Sequence, residues 1–256
     1  MKHVGRSLVA VFIPIVILVG ALPSGANHAW GPYHWARTSN PFTLTVVDSV
    51  TSNWDSYLNT ANADWTASSV LDLTKVQGDE GSVSRKKCNP ISGKIRVCNQ
   101  TYGLNGWLGV ANIWLTTGNH IAQGTTKLND SYFNTTTYNK PEWRQFVTCQ
   151  EIGHDFGLDH QDTIFDNPNL GSCMDYTDFP LGPPDNTHPN QHDYDQLVSM
   201  YNHSDSFNSF SLASPASIGA ALNLDEGITV GDDRAPVGVY VSKDGIYTVV
   251  TFIYWA

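Results

Sequence analysis

The sequence predicts an α+β domain in which a strand and a helix are followed by a run of strands and then a second helix. Three observations carry that prediction. Short apolar segments bounded by turn residues recur between residues 42 and 128, the spacing expected of strands. Trp54, Tyr57, Leu58, Ala61 and Trp65 recur at helical spacing, which places them on one face of a helix. A further stretch begins at Pro141 and reaches Gly157, and these residue types favour the start and the end of a helix.

Residues 42–48 form the first expected strand, and the Trp54–Trp65 helix follows with Ser52 placed to cap it. Residues 70–76, 94–98, 106–115 and 120–128 are the second to fifth strands. Asn139 is the expected cap of the helix that starts at Pro141, and Phe146, Cys149, Ile152, Gly153 and Phe156 would form its inner face. Residues 193–201 suit a last helix with Tyr194, Leu197, Val198 and Tyr201 on one side. The segment 203–235 is rich in Ser, Ala, Asn and Gly without a clear period, as a linker or irregular surface would be. Residues 236–256 read as a hairpin turning at Asp244-Gly245, too short to be a domain. No internal repeat is visible.

Lys2, His3 and Arg6 precede an apolar run over 8–22, and Ser24-Gly25-Ala26 follows. That is the pattern of a secretory signal peptide over 1–26. An uncleaved membrane anchor is the rival reading; Pro14 and a run shorter than the roughly 20 residues needed to span a bilayer count against it. The expected location is therefore extracellular, as a monomer with no membrane association after signal cleavage. The main domain is expected over 27–202. Four cysteines in an exported chain suggest two disulfides. Cys88 and Cys98 flank a turn-rich insert and pair as a clip, which leaves Cys149 for Cys173. A net charge of −10 argues against nucleic acid as a partner. Asn99, Asn129, Asn134 and Asn202 each begin an Asn-x-Ser/Thr triplet, a frequency that chance explains in an Asn- and Thr-rich chain.

The chemistry-bearing stretch is Gln150-Glu151-Ile152-Gly153-His154-Asp155-Phe156-Gly157-Leu158-Asp159-His160. On a helix, Gln150 and His154 are one turn apart and share a face. Glu151 projects beside them, within one water of an ion held there. Gly157 lets the chain leave the helix through a tight turn, so that His160 can swing back as a further ligand. Each piece alone has an ordinary explanation: a histidine near a helix end is usually solvated, a methionine such as Met174 is usually core, and a glycine stops helices. Their joint spacing is the signal.

These residues resemble the metzincin zinc metalloproteases, whose long motif is His-Glu-x-x-His-x-x-Gly-x-x-His, with Gln150 standing where the first histidine is expected. Ser172-Cys173-Met174-Asp175-Tyr176 is similar to that family's Met-turn, and Gly109, Val110 and Ala111 lie in a segment similar to its substrate-pairing edge strand. The resemblance covers 42–201 and is closest to the matrixin-like secreted members. It implies a zincin-like catalytic domain: a twisted five-stranded mixed sheet, an active-site helix, a Met-turn and a cleft. It implies Zn2+ held by His154 and His160, with Gln150 in the first-ligand position and Tyr176 as an additional ligand, and Glu151 as the catalytic base. A protein or peptide substrate would add as a strand along Gly109–Ala111, and residues 178–184 would wall the specificity pocket.

An amide oxygen is a weak zinc ligand beside imidazole, thiolate or carboxylate. Asp162, His188 and His192 are candidates for a recruited replacement; their ordinary explanation is a polar surface loop and a Pro-Asn turn. Two functions follow. One is a secreted zinc-dependent endopeptidase hydrolysing peptide bonds with water activated by Glu151. The other is a catalytically weak or inactive metzincin-fold protein that binds protein at the cleft. No cysteine precedes Phe42, so no cysteine-bearing latency segment is expected there.

Overall fold

The structure is a computed structural model that describes residues 28–116, 118–211 and 238–256. The expected signal peptide and most of the expected linker lie outside the described residues. Strand β1 (His34–Trp35) precedes β2 (Phe42–Ser49), α1 (Asp55–Thr66), β3 (Leu71–Gln77) and a short helix α2 (Ser82–Lys87). Then come β4 (Lys94–Gln100), β5 (Trp107–Leu115), β6 (His120–Asn129), a single turn α3 (Asp130–Phe133) and α4 (Pro141–His154). Helix α5 (Gln191–Met200), a 3-10 turn (Ser209–Ser211), β7 (Gly238–Asp244) and β8 (Tyr247–Trp255) complete the chain.

The molecule is α+β with one mixed sheet of eight strands, ordered β3-β2-β4-β6-β5-β8-β7, with β1 paired to β6. The sequence predicts five strands. Those five form contiguous neighbours β3 to β5, and the sheet is larger because β8 pairs with β5 and β1 with β6. β3, β2, β4 and β6 run parallel, whereas β5 is antiparallel to both β6 and β8.

Two expected caps are corrected. Helix α1 is entered at Trp54 with no side-chain cap, because the Trp54 indole is drawn into the core and donates to Asp130 Oδ1 at 2.8 Å. Helix α4 is entered at Lys140 with Pro141 in the first turn; Asn139 is instead engaged as an acceptor from Arg144 Nη2 at 3.2 Å. Pro141 removes a donor that the first turn would leave unpaired in any case. Helix α5 carries a cap that the sequence reading missed: Asn190 and Asp193 form a reciprocal capping box.

The core lies between the sheet and helices α1 and α4. Leu44, Val46, Ile95, Val97 and Ile113 meet Leu58, Trp65, Phe146 and Ile152 in one cluster. Trp65 ties the two helices by donating from Nε1 to Cys149 O at 3.1 Å. Both disulfides are formed as paired in the sequence reading, Cys88–Cys98 and Cys149–Cys173. The second joins α4 to the turn that carries Met174. Asn99 and Asn129 are buried and hydrogen-bonded through their side chains, which removes them as glycan acceptors in the folded chain. Among the described residues no helix is long and apolar enough to cross a membrane.

Candidate functional site

Helix α4 ends at His154, and the chain turns at Gly157 with φ +93°. Any Cβ there would run into the Tyr33 carbonyl, so the turn needs glycine twice over, for its backbone angle and for the close approach. The turn directs His160 back over the helix end, and the two imidazole centroids lie 4.6 Å apart at 77°. His154 Nδ1 is 2.8 Å from Leu158 O. A carbonyl only accepts, so Nδ1 carries the proton and Nε2 keeps its lone pair. Metal-binding imidazoles are held in this way.

Gln150 is buried, and its amide nitrogen donates to Asp175 O at 2.8 Å. That bond orients the amide and leaves Oε1 without a hydrogen-bond partner among the described residues. The same holds for both Glu151 oxygens and both His160 ring nitrogens, although Asp159 Oδ1 lies 3.7 Å from His160 Nδ1. The Ala111 amide faces the Glu151 carboxylate without meeting hydrogen-bond geometry. Buried polar atoms are ordinarily paired, and here they are orphaned together. Burial pushes the Glu151 carboxyl well up, aided by the Asp155 carboxylate one turn on. Burial likewise lowers His154, to about 4, against the opposing pull of the Leu158 carbonyl, and it drives His160 well below its ordinary value with His154 adding to it. The imidazoles are thus neutral, the form that binds metal.

Met174 is fully buried and packs against Gly153, where a Cβ would collide with its sulfur and with Trp65. The Tyr176 ring lies 5.3 Å from that of His160. Burial raises its hydroxyl above the ordinary value, and the Trp255 amide opposes that shift. The structure therefore gathers Gln150, Glu151, His154, His160, Met174 and Tyr176 around one helix end.

The candidate replacement ligands are engaged elsewhere. Asp162 accepts from Ile164 N and Asn167 Nδ2, His188 Nδ1 pairs with Asp64 Oδ2 at 2.7 Å on the surface, and His192 stacks on His28 at 4.9 Å. Residues 178–184 contribute Asp178, Phe179, Gly182 and Pro183 to an open recess of about 300 Å³, faced by Asp166 and Asn169.

Gly109, Val110 and Ala111 do not form a free edge. Glu151 stands directly over Gly109, where a Cβ would meet its carboxylate. On the other side β8 pairs antiparallel with β5, Gly109 opposite Tyr254, Val110 opposite Ile253 and Ala111 opposite Phe252. Phe252 stacks on His154 with centroids 4.3 Å apart and rings 4° from parallel, and Tyr254 packs on Tyr176 at 4.8 Å. The expectation of an open substrate strand is thereby corrected, because the chain's own hairpin pairs with it. Phe252 and Tyr254 carried no signal in the sequence beyond being apolar in a strand. His28 was also missed; its charge bears on both His154 and His160, and its backbone carbonyl accepts from Asp159 N at 2.7 Å.

No protein-family model matches this chain, and no curated protein matches it.

Proposed function

We propose that this protein is a secreted zinc-dependent endopeptidase of metzincin, matrixin-like type, with a zincin-like fold and an amide in place of one imidazole ligand. The observation that carries the reading is a set of buried atoms without partners among the described residues at one helix end, Gln150 Oε1, the His160 ring nitrogens and the Glu151 carboxylate, beside His154, whose Nδ1 is engaged by Leu158 O so that Nε2 keeps its lone pair. Orphaned polar atoms at such density fit a cation better than an empty core. Gln150, His154 and His160 would hold zinc, with Tyr176 at the margin of the set. Zinc there supplies Lewis acidity toward a scissile carbonyl.

The remaining chemistry belongs to the chain. Glu151, whose carboxyl burial raises well above its ordinary value, takes the proton of the attacking water and passes it to the leaving amine. The Gln150–Asp175 bond sets which end of the amide faces the site. Met174 and the Cys149–Cys173 bond fix the floor beneath it. An extended peptide would add to β5 through main-chain bonds, and for that β8 has to leave.

The pairing of β8 on β5 also favours a second reading, a fold that is weak or silent as a catalyst and binds protein at the cleft. Metal content and cleavage of a generic protein substrate separate the two, measured for the wild type, Glu151→Ala and Gln150→His. Zinc in the wild type and cleavage lost in Glu151→Ala support the peptidase. Zinc-free, inactive wild type with activity appearing only in Gln150→His would sink it.

A further inference from the structure

A second histidine cluster draws on other segments of the chain, and no part of the proposed reaction uses it. Strand β1 pairs in register with β6 so that His34 stands opposite His120, and their rings meet edge to face at 4.9 Å. The segment after α5 adds His203, whose ring is 4.6 Å from that of His34, and Asp205. The donor atoms of His34, His203 and Asp205 all lie within 4.8 Å of one another. His34 Nε2 and His203 Nε2 are 3.1 Å apart. Asp205 Oδ1 lies 3.6 Å from His34 Nε2, 3.4 Å from His120 Nε2 and 3.7 Å from His203 Nε2. Four ligands at zinc–nitrogen and zinc–oxygen distances of about 2.0–2.2 Å in a tetrahedron stand roughly 3.3–3.6 Å from one another. The separations within His34, His203 and Asp205, at 3.1, 3.6 and 3.7 Å, bracket that spacing.

The surroundings hold the donors in a binding orientation. His34 Nδ1 is 2.7 Å from Pro32 O, so its proton is committed there and its Nε2 lone pair faces the cluster. Arg37, itself buried, takes Asp205 Oδ2 at 2.9 Å, its backbone amide donates to the same oxygen at 3.1 Å, and its Nη2 donates to His203 O. These contacts leave Oδ1 to the imidazoles. Arg37 Nη1 also approaches His203 Nε2 at 3.5 Å, so the guanidinium borders the cluster without entering between its donors.

We infer that His34, His203 and Asp205 form a zinc site that pins the segment before β2 to the segment after α5, with His120 at the start of β6 facing the same carboxylate. The ligand set of two imidazoles and one carboxylate suits zinc better than calcium or magnesium, which take oxygen. Without a metal the same atoms would be a hydrogen-bonded cluster with a proton shared between His34 and His203, and the two states differ in what they bind.

The test is zinc stoichiometry and thermal stability of the purified protein, stripped with a chelator and titrated with Zn2+. His203→Ala and Asp205→Asn should each hold one zinc per chain fewer than the wild type. His160→Ala, which touches only the cleft, should keep this equivalent, so failure of the cleft reading and failure of this one are separable. At zinc a hundredfold above its dissociation constant the His160→Ala protein should gain roughly 5–10 °C in Tm, and the gain should vanish when His203→Ala is added. His203 is half exposed, so its loss leaves the metal-free fold standing, which an unchanged metal-free Tm would verify. Equal zinc content in wild type, His203→Ala and Asp205→Asn would overturn the site. So would an absence of zinc-dependent stabilisation in His160→Ala.

Discussion

Two histidine clusters among the described residues, the one at the end of α4 and the one around Asp205, are built in opposite ways. The helix-end cluster draws His154 and His160 from one helix end and its following turn, buries them, and leaves their neighbours Gln150 Oε1 and Glu151 without partners among the described residues. The outer cluster draws His34, His120, His203 and Asp205 from three remote segments and leaves them partly exposed with their donors facing one another. A site that must admit a substrate keeps unsatisfied atoms and bears their desolvation cost. A site that only joins segments can close on itself. On the proposed readings, the contrast separates a place for chemistry from a place for stability.

The largest expected effect breaks the cleft side of that contrast. Glu151→Ala should lower peptide cleavage by about 10²–10⁴-fold, the usual span for loss of a general base, while zinc content stays that of the wild type. A rate that survives the substitution would remove Glu151 from the chemistry. Next is strand β8, which pairs with β5 and packs Phe252 on His154. Phe252→Ala deletes a ring buried on His154 and should cost about 3–5 kcal/mol in denaturant unfolding of β8 and its neighbours. Because it loosens β8, it should also raise cleavage of an extended peptide and speed amide exchange along β5. Unchanged exchange at Gly109 to Ala111 would show that the pairing does not depend on that ring.

Cys149→Ser with Cys173→Ser tests whether the floor of the cleft is held by covalent closure. The bond spans 24 residues, and removing it should cost about 3 kcal/mol, with zinc affinity of the cleft falling and that of the outer cluster unchanged. The smallest effect is electrostatic. In the metal-free protein the Glu151 carboxyl is raised well above its ordinary 4.5 by burial. A group raised on folding contributes its stability below its unfolded value and loses it as pH climbs toward the folded one. Glu151→Gln does not titrate, so it should be more stable than the wild type at pH 8 and lose that advantage by about pH 4. Equal pH profiles for the two proteins would show that Glu151 is hydrated.

Much of this architecture is written in short stretches of chain. The five central strands and the three principal helices lie close to where periodicity places them, since alternation and helical spacing are local properties of the backbone. Gly157 was legible because only one residue type tolerates that turn, and the cysteine pairs because their flanking residues left one sensible arrangement. The caps at Ser52 and Asn139 were misread. Trp54 is drawn inward by tertiary packing and Asn139 by Arg144, contacts that a helix-start pattern does not contain. The hairpin at 238–255 was recognised as a hairpin, but not as the neighbour of β5.

By itself, then, the sequence determined the α+β class, the disulfide pairs and the grouping of Gln150, Glu151, His154 and His160, because helical pitch and one glycine turn set those positions over a few residues. Only the tertiary structure decided that β8 pairs with β5 and packs Phe252 on His154. It alone brought His203 to His34 across 169 residues. The physical reason is common to both. Strand pairing and side-chain convergence depend on which apolar faces are buried against each other, and that choice is made by the whole chain at once.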